Sequence, residues 1–321
     1  MNSILITGAT GFVGRSLVQS NLLDGWRISG TILAFEPLSA LAPGIEPIVV
    51  EPIGPATHWE RALRNVDVIV HLAARVHVMQ DTSADPLREF RLTNTEGTIR
   101  LARQAAAAGV KRFVFMSTIG VNGNLSGTRA FTEDDKPAPH NPYSISKWEA
   151  EISLRDISVK SGMEVVIVRA PLVYGPGNPG NFFTLLNVIA KGIPLPLASI
   201  HNQKSFLYVE NLANALACCA TNSNAAGQTY LVSDLEDVST PELIRRVASA
   251  LGRPARLVPF PPGLLRLAGQ LFNKSAAVNS VLGSLSVDCR KIQRELNWKP
   301  PYSMGQGLQK TAEWFKCQVK L

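Results

Sequence analysis

Short apolar segments alternate with longer amphipathic segments through the first half of the chain. The apolar segments predict parallel strands at residues 4–7, 28–33, 48–50, 67–71, 112–116 and 164–168. The amphipathic segments predict helices at residues 16–23, 59–63, 87–109 and 143–161. Strands that alternate with helices are typical of a right-handed parallel sheet. The pattern therefore predicts an α/β protein with a Rossmann-type doubly wound parallel sheet.

The pattern loosens after Gly175, and shorter elements follow. It predicts helices at residues 182–191 and 209–220 and from residue 240, and strands at residues 195–198, 205–209 and 228–232. We therefore divide the chain into a main domain at residues 1–175 and a smaller C-terminal α/β lobe at residues 176–321. Some segments of the lobe are expected to return to the main sheet.

Composition narrows the class of protein. The 321 residues are 45% hydrophobic, which provides an ample core, and the net charge of +7 suits anionic ligands such as nucleotides. The Lys and Arg residues are scattered, without a basic run or an aromatic platform, so we expect no nucleic-acid partner. The four cysteines have neither metal nor disulfide spacing and are interpreted as reduced thiols of a cytoplasmic protein.

Membrane-related segments are not predicted. A strand pattern begins at Ile4 without a preceding basic region, so we expect no signal peptide. No apolar run approaches the roughly 18 residues of a membrane-spanning helix. Residues 264–272 are amphipathic, with Arg266 and Gln270 among apolar residues. Because the segment is short and weakly basic, a core or subunit-contact helix is favoured over a helix on a membrane surface.

A glycine run follows the first predicted strand. Gly8, Gly11 and Gly14 form G-x-x-G-x-x-G where the strand pattern changes to a helix pattern. Glycine lets the backbone turn tightly and approach a pyrophosphate, and a helix N-terminus offers free N–H groups. This context favours a dinucleotide site over a purely structural turn. The second strand has no acidic residue before Glu36 for an adenosine ribose, so NAD and NADP both stay open.

Tyr143 and Lys147 provide candidate acid–base chemistry. They are four residues apart on a predicted helix and therefore lie on one face, one turn from each other. A neighbouring ammonium favours the phenolate, so Lys147 is predicted to lower the pKa of Tyr143 from its usual value of about 10. Such a pair suits proton transfer at a sugar or steroid hydroxyl while hydride moves at its carbon. The motif alone is common and also fits a surface tyrosine.

Ser117 and Thr118 stand at the C-terminal end of the predicted strand at residues 112–116. Ligands of doubly wound sheets bind beyond the carboxyl ends of the strands, where a hydroxyl can bond the substrate oxygen that Tyr143 protonates. His71 and His77 have no carboxylate or cysteine at ligand spacing. We therefore predict packing or substrate contact for them, and no metal site.

Together these residues resemble the extended short-chain dehydrogenase/reductase family, in particular its nucleotide-sugar branch. The matching motifs span nearly the whole chain in family order: residues 7–14, residues 71–74, Asn94, Ser117 and Thr118, Tyr143-x-x-x-Lys147, Arg169-x-Pro171-x-x-Tyr174-Gly175 and residues 291–298. The resemblance implies an NAD(P)-dependent oxidoreductase or epimerase. Residues 1–175 would bind the cofactor and carry the catalytic residues, and residues 176–321 would mainly bind substrate.

The resemblance also implies roles for individual residues. Thr118, Tyr143 and Lys147 are the implied catalytic residues, and Asn94 helps to place Lys147. The implied cofactor contacts are Gly8, Thr10, Gly11, Phe12, Val13, Gly14, Leu72, Ala73, Ala74, Asn94, Ser117, Tyr143, Lys147 and Pro171. The implied substrate contacts are Arg75, Thr118, Asn181, Phe182 and Lys204. Lys204 replaces an arginine that relatives use for the pyrophosphate, and Val278 stands where a second one would be.

The residues after Thr118 narrow the reaction. Dehydratases of this branch carry Asp-Glu there and the related decarboxylases also place an acid there, whereas this chain has Ile119 and Gly120. Residues 71–79 resemble enzymes of bacterial polysaccharide clusters that reduce the C4 keto group of UDP-4-keto-6-deoxy-N-acetylhexosamines. We therefore predict such a 4-reductase, which yields UDP-N-acetylquinovosamine or UDP-N-acetylfucosamine for surface polysaccharide (O-antigen) synthesis.

Two alternatives stay open. A UDP-hexose 4-epimerase acting on UDP-glucose or UDP-N-acetylglucosamine would retain its NAD throughout the reaction. A non-catalytic dinucleotide-binding sensor would need neither Tyr143 nor Lys147. The expected partner is a UDP-sugar, and a homodimer is the habit of the family.

Overall fold

The computed structural model describes residues 2–76 and 83–319, and its central element is a parallel sheet of seven strands. The strands found in these described residues are, in chain order, β1 (Ser3–Thr7), β2 (Arg27–Leu33), β3 (Glu46–Val50), β4 (Val68–His71), β5 (Arg112–Thr118), β6 (Glu164–Ala170), β7 (Leu172–Tyr174), β8 (Phe206–Tyr208) and β9 (Thr229–Leu231). The spatial order of the large sheet is β3-β2-β1-β4-β5-β6-β9. The predicted Rossmann-type doubly wound sheet is therefore confirmed.

Helices cover both faces of this sheet. They are α1 (Phe12–Gln19), α2 (Pro86–Phe90), α3 (Thr98–Ala107), α4 (Pro142–Ser161), α5 (Asn181–Ala190), α6 (Val209–Thr221), α7 (Thr240–Leu251), α8 (Pro262–Leu271), α9 (Ser275–Leu282), α10 (Arg290–Leu296) and α11 (Met304–Val319). A π-helix at Arg91–Gly97 joins α2 to α3. Within residues 2–76 and 83–319, no helix combines the length and apolarity needed to cross a bilayer.

The apolar strands separate two layers of core. Ile4 and Ile6 of β1 pack on one side of the sheet, with side chains of α1 and α6. Leu5 lies between them and faces the other side, where it joins a cluster with side chains of α3 and α4. Because β1 and β4 are covered on both faces, each is a nearly continuous apolar run, without regular alternation of polar residues.

The second half of the chain contributes both to a smaller lobe and to the main sheet. The parallel pair β7–β8 packs with α5, α7 and α11 around a separate core. In contrast, β9 pairs with β6 as the seventh strand of the large sheet, and α6 packs against that sheet. The lobe therefore lies beyond the C-terminal end of β6, where β7 begins.

Two predicted elements are wrong. Residues 60–63 form turns instead of a helix. The Leu63 N–H bonds the Trp59 carbonyl at 3.0 Å, and Asn65, with a φ of +54°, then turns the chain out of helical geometry. Residues 195–198 form only a single bridge, between Leu195 and Leu257. Pro194 and Pro196 supply no N–H, which prevents a longer ladder.

The turn between β1 and α1 depends on two glycines. Gly8 has a φ of +71°, and a Cβ there would lie 2.8 Å from the Ala73 backbone nitrogen, beyond the end of β4. A Cβ on Gly14 would lie 2.1 Å from the Gly8 carbonyl oxygen. Both clashes are with backbone atoms, which cannot rotate away. The close approach of helix, turn and neighbouring strand therefore excludes side chains at these two positions.

We expect Gly14→Ala to lower the free energy of unfolding by about 1–3 kcal/mol, as overpacking against rigid backbone does. Urea denaturation followed by circular dichroism measures this change. Gly263→Ala is the matched control, because Gly263 lies in α8 with open space around its Cβ position. The control should leave stability unchanged or raise it by up to about 1 kcal/mol. Equal stability of the two variants would contradict the steric account.

Candidate active site

The N-terminus of α1 lies at the glycine turn. The helix begins at Phe12, four residues before the predicted start, and continues through Val13. Gly11 is its N-cap and provides no side chain to bond the first N–H groups. Those donors and the positive end of the helix dipole suit a pyrophosphate. The glycine turn therefore has the donors that a dinucleotide would need, and the predicted cofactor contacts stay a prediction.

Glu36 lies beside this turn, and the sequence analysis did not assign it a role. Its carboxylate accepts a hydrogen bond from the Thr10 hydroxyl at 2.7 Å and one from the Leu33 N–H at 2.7 Å. The side chain therefore folds back from the end of β2 towards the glycine turn. The sequence pattern did not reveal this contact, because the acidic residue of such folds usually stands at the end of the second strand, whereas Glu36 lies three residues beyond it.

The chain after β4 follows the edge of the glycine turn. The Ala73 N–H donates to the Thr7 hydroxyl at 3.3 Å, and Gly8 packs against the same backbone. Asn94 holds the next residues: its Oδ1 accepts from the Arg75 N–H at 2.8 Å, and its Nδ2 donates to the Arg75 carbonyl at 3.0 Å. Leu72, Ala73 and Ala74, the predicted cofactor contacts, therefore run between two fixed points.

His71 is a packed residue of the core. Its ring nitrogens lie 2.7 Å from the Thr7 hydroxyl and 2.9 Å from the Thr98 hydroxyl, and burial lowers its pKa to about 3. A neutral imidazole bonded on both sides has no free nitrogen for a metal. Within residues 2–76 and 83–319, no group of three or more His, Cys, Asp or Glu residues is placed to hold one. His77, also considered above, lies outside the described residues.

Helix α4 is started by strong local signals that place Tyr143 in its first turn. The Asn141 side chain accepts from the Ser144 N–H, the Ser144 hydroxyl accepts from the Asn141 N–H, and Pro142 follows the cap. The π-helix is bonded to the next turn, because Asn94 Nδ2 donates to the Ser146 hydroxyl at 3.1 Å. Single π-turns inside helices occur frequently at functional sites. Asn94 thus holds the residue immediately before Lys147.

Lys147 is buried almost completely, with an exposed fraction of 1%. Its ammonium nitrogen lies 4.1 Å from the centroid of the Phe115 ring, in cation–π geometry. Burial lowers the pKa of Lys147 to about 7, and the negative charge of Glu151 acts in the opposite direction. Since β5 alternates its side chains, Phe115 and Ser117 both face α4.

Glu151 and Arg169 form a buried ion pair next to Lys147. Arg169 donates from Nε and Nη2 to the two carboxylate oxygens of Glu151, at 3.0 and 2.6 Å. The Ser117 hydroxyl donates to Glu151 at 2.5 Å, and Arg169 Nη1 donates to Asn122 at 2.9 Å. Ser117, a predicted cofactor contact, thus directs its hydroxyl into this network. The spacing of Glu151 four residues after Lys147 was a signal that the sequence analysis missed.

Tyr143 is half-buried, and its ring packs edge-on against Phe90 at a centroid distance of 6.1 Å. Burial raises its pKa to about 12. The expectation that Lys147 lowers this pKa is therefore wrong for the protein alone, because desolvation disfavours the phenolate. Both members of the pair are shifted towards their neutral forms.

Thr118 ends β5 close to the start of α4. Its hydroxyl accepts from the Gly120 N–H at 3.1 Å, and a Cβ on Gly120 would lie 3.1 Å from the Ser144 Cβ. Ile119 and Gly120 are both buried in the short 3-10 turn at Ile119–Val121. The two positions after Thr118 are therefore filled by buried residues without a carboxylate.

The predicted substrate residues are placed differently from one another. The Arg75 guanidinium lies 5.5 Å from the centroid of the Phe90 ring, which also contacts Tyr143. Asn181 is exposed at the start of α5, whereas the buried ring of Phe182 stacks on Tyr174. The ammonium of Lys204 donates to the Ser280 carbonyl at the end of α9. Pro171, a predicted cofactor contact, is buried between β6 and β7.

Comparison with known proteins identifies the family of this chain. A model described as "NAD dependent epimerase/dehydratase family" matches residues 4–233. The chain belongs to this family. The resemblance to the nucleotide-sugar branch of the extended short-chain dehydrogenases/reductases is thereby confirmed, and with it an NAD-dependent epimerase/dehydratase type of enzyme.

Individual relatives cover nearly the whole chain. A UDP-glucose 4-epimerase of Vibrio cholerae is 43% identical over 98% of this chain and 95% of its own length. An N-acetyl-α-D-glucosaminyl-diphospho-ditrans,octacis-undecaprenol 4-epimerase of Escherichia coli O157:H7 is 26% identical over 98% and 95%. A crystal structure of a Thermotoga maritima UDP-glucose 4-epimerase with UDP-glucose has a TM-score of 0.79, 21% identity, and coverage of 99% of both chains. This structural likeness supports the fold.

The buried ammonium predicts a pH dependence of stability. Native Lys147 loses its proton near pH 7, whereas an unfolded lysine keeps it to about pH 10.5, so the unfolded state binds more protons between these values. Stability from this group therefore rises with pH in that window. We expect the difference in unfolding free energy, wild type minus Lys147→Met, to grow by roughly 2 kcal/mol between about pH 7 and pH 9.

The exposed Lys160 provides the control for this experiment. It lies in the same helix and pairs with Asp156 at the surface. The difference between wild type and Lys160→Met should stay constant over the same pH range. Thiol titrations cancel in both differences because the cysteines are unchanged. A flat difference for Lys147→Met would contradict the lowered pKa.

Proposed function

We propose that the protein interconverts the C4 epimers of a UDP-hexose and retains NAD in its site. The observation that carries the proposal is the arrangement at the carboxyl ends of β4 and β5. Tyr143 and Lys147 lie one helical turn apart there, near Thr118, and a buried Ile119-Gly120 turn takes the place of the acids that elimination would need. The arrangement suits oxidation and reduction at one carbon, without loss of water.

The chain's own residues supply the proton transfer in this proposal. Tyr143 takes the proton of the C4 hydroxyl when that carbon is oxidised and returns it when the carbonyl is reduced. Thr118 donates a hydrogen bond to the same oxygen. Lys147, in its protonated form, stabilises the Tyr143 phenolate, and Glu151 favours that protonated form. NAD, when bound, accepts and returns the hydride.

The 4-epimerase is favoured over the 4-reductase by the relative of Vibrio cholerae, which is 43% identical along nearly its whole length and is named a UDP-glucose 4-epimerase. The reductase predicted from the sequence rests on the resemblance of residues 71–79 alone, which is looser than the match to the family. It is therefore the second candidate. Both use Tyr143 for proton transfer at the C4 oxygen: the epimerase takes the proton and returns it, whereas the reductase only donates one and consumes reduced cofactor.

The test is incubation of the purified protein with UDP-glucose without added cofactor, followed by NMR of the sugar. We expect UDP-galactose to appear, and Tyr143→Phe to lower the rate by about 100- to 10,000-fold while NAD binding persists. Tyr230→Phe is the matched control, because the Tyr230 hydroxyl bonds Glu295 of α10 and takes no part in the proposed reaction. Near-normal turnover of Tyr143→Phe would remove the tyrosine from the mechanism.

Stoichiometric use of NADH or NADPH with a UDP-4-keto-6-deoxy-N-acetylhexosamine would instead support the reductase. In that case UDP-glucose and UDP-N-acetylglucosamine should show no interconversion without cofactor. NMR of the C4 configuration then distinguishes a quinovosamine product from a fucosamine product. This outcome would overturn the epimerase and leave the roles of Thr118, Tyr143 and Lys147 in place.

Glu36 leads us to propose NAD over NADP. Its carboxylate lies against Thr10 of the glycine turn, where the adenosine half of a dinucleotide would bind, and it repels a 2′-phosphate. We expect tighter binding of NAD than of NADP, and a gain in NADP affinity of roughly tenfold in Glu36→Gln. Calorimetric titration of both cofactors measures this. Equal affinity of the wild type for both would contradict the assignment.

A further inference from the structure

Helices α8 and α9 form an apolar surface that the proposed reaction does not use. We call residues 261–283 the α8–α9 hairpin. The exposed fractions of its outward apolar side chains are 50% for Leu264, 51% for Leu267, 75% for Leu271 and 75% for Phe272. These values contradict a core helix at residues 264–272, whereas the subunit-contact helix predicted as its alternative stays untested. Large apolar side chains grouped in this way indicate an interaction site.

The hairpin packs through a different side of α8. A Cβ on Gly269 would lie 2.8 Å from Cγ2 of Val278, so the two helices approach most closely at this glycine. Leu264, Leu267 and Leu271 follow the i, i+3, i+7 spacing and share a face that turns away from Gly269. The exposed leucines therefore do not hold the hairpin together, and they are available for a partner.

The charged residues in this part of the sequence are all basic. Residues 243–287 contain no Asp or Glu and six basic residues, Arg245, Arg246, Arg253, Arg256, Arg266 and Lys274. The first two pair with Glu236 and Glu242. On the hairpin itself, Arg266 and Lys274 are exposed beside the apolar face. An apolar face with flanking cations complements an anionic bilayer surface.

The same charge disfavours a contact between two copies of the chain. A two-fold interface would place the Arg266 and Lys274 side chains of both copies around one apolar patch, with no carboxylate of residues 243–287 to compensate them. Like charges brought together in this way repel. Lipid phosphates supply the missing negative charge.

The hairpin is firmly attached near the proposed substrate side of the lobe. Asn202 Nδ2 donates to the carbonyls of Val281 and Gly283 at 3.0 and 2.9 Å, and Lys204 bonds the Ser280 carbonyl. Leu125, in the loop after β5, packs against Gly283. The hairpin therefore holds a defined orientation relative to the catalytic edge of the sheet.

We propose that the α8–α9 hairpin docks the protein on an anionic lipid bilayer, with the Leu264, Leu267, Leu271 and Phe272 side chains entering the headgroup region and Arg266 and Lys274 contacting lipid phosphates. This inference does not depend on the reaction proposed above. It assigns a membrane-surface role to a chain without a spanning helix among its described residues.

The test is flotation of the full chain with vesicles of phosphatidylcholine alone and of phosphatidylcholine with phosphatidylglycerol. We expect binding to the vesicles that contain phosphatidylglycerol, weakened by added salt. The triple variant Leu267→Ser/Leu271→Ser/Phe272→Ser should lower the bound fraction by about tenfold or more. Arg266→Gln/Lys274→Gln should lower binding to the anionic vesicles and reduce its salt dependence.

Val49→Ser is the matched control, because Val49 is 53% exposed and lies on the edge strand β3. It should bind vesicles as the wild type does, and circular dichroism should show that all variants are folded. Absence of wild-type binding, or equal binding of the triple variant, would overturn the proposal. So would a wild-type dimer that the triple variant converts to a monomer without vesicle binding, since the face would then join two copies.

Discussion

The ammonium group of Lys147 is held inside the protein, and the surrounding elements accommodate its charge. Moving an ion out of water costs several kcal/mol unless other groups compensate it. Phe115 presents its ring face, and Glu151 contributes a negative charge one turn away. Glu151 is itself held by Arg169. This chain of interactions joins α4 to β5 and β6 and fixes the rotation of α4, so Tyr143 is placed by the same contacts.

A second set of contacts links the acid–base pair to the glycine turn. Asn94 bonds the backbone of Arg75 on one side and the Ser146 hydroxyl on the other. The π-turn that carries Asn94 therefore sets the distance between the edge of β4 and α4. Gly8 brings that edge against β1. The proposed dinucleotide site and the proposed proton-transfer site are consequently joined by the same set of contacts.

Burial shifts the pKa values of Tyr143 and Lys147 in opposite directions, to about 12 and about 7. In the protein alone the phenol is neutral, and the amine is close to half-protonated near neutral pH. An ammonium at Lys147 would stabilise a phenolate one helical turn away. Protonation of Lys147 and deprotonation of Tyr143 are therefore electrostatically linked.

The sequence by itself determined the features that depend on local spacing. Apolar runs identified the sheet strands, the glycine spacing identified the turn before α1, and the four-residue interval placed Tyr143 and Lys147 on one face. Partners distant in the chain were decided only by the tertiary structure: Arg169 for Glu151, and Thr10 for Glu36. The turns at residues 60–63 and the outward face of residues 264–272 were decided in the same way. Periodicity shows that a segment has an apolar face, but packing between distant segments decides what that face meets.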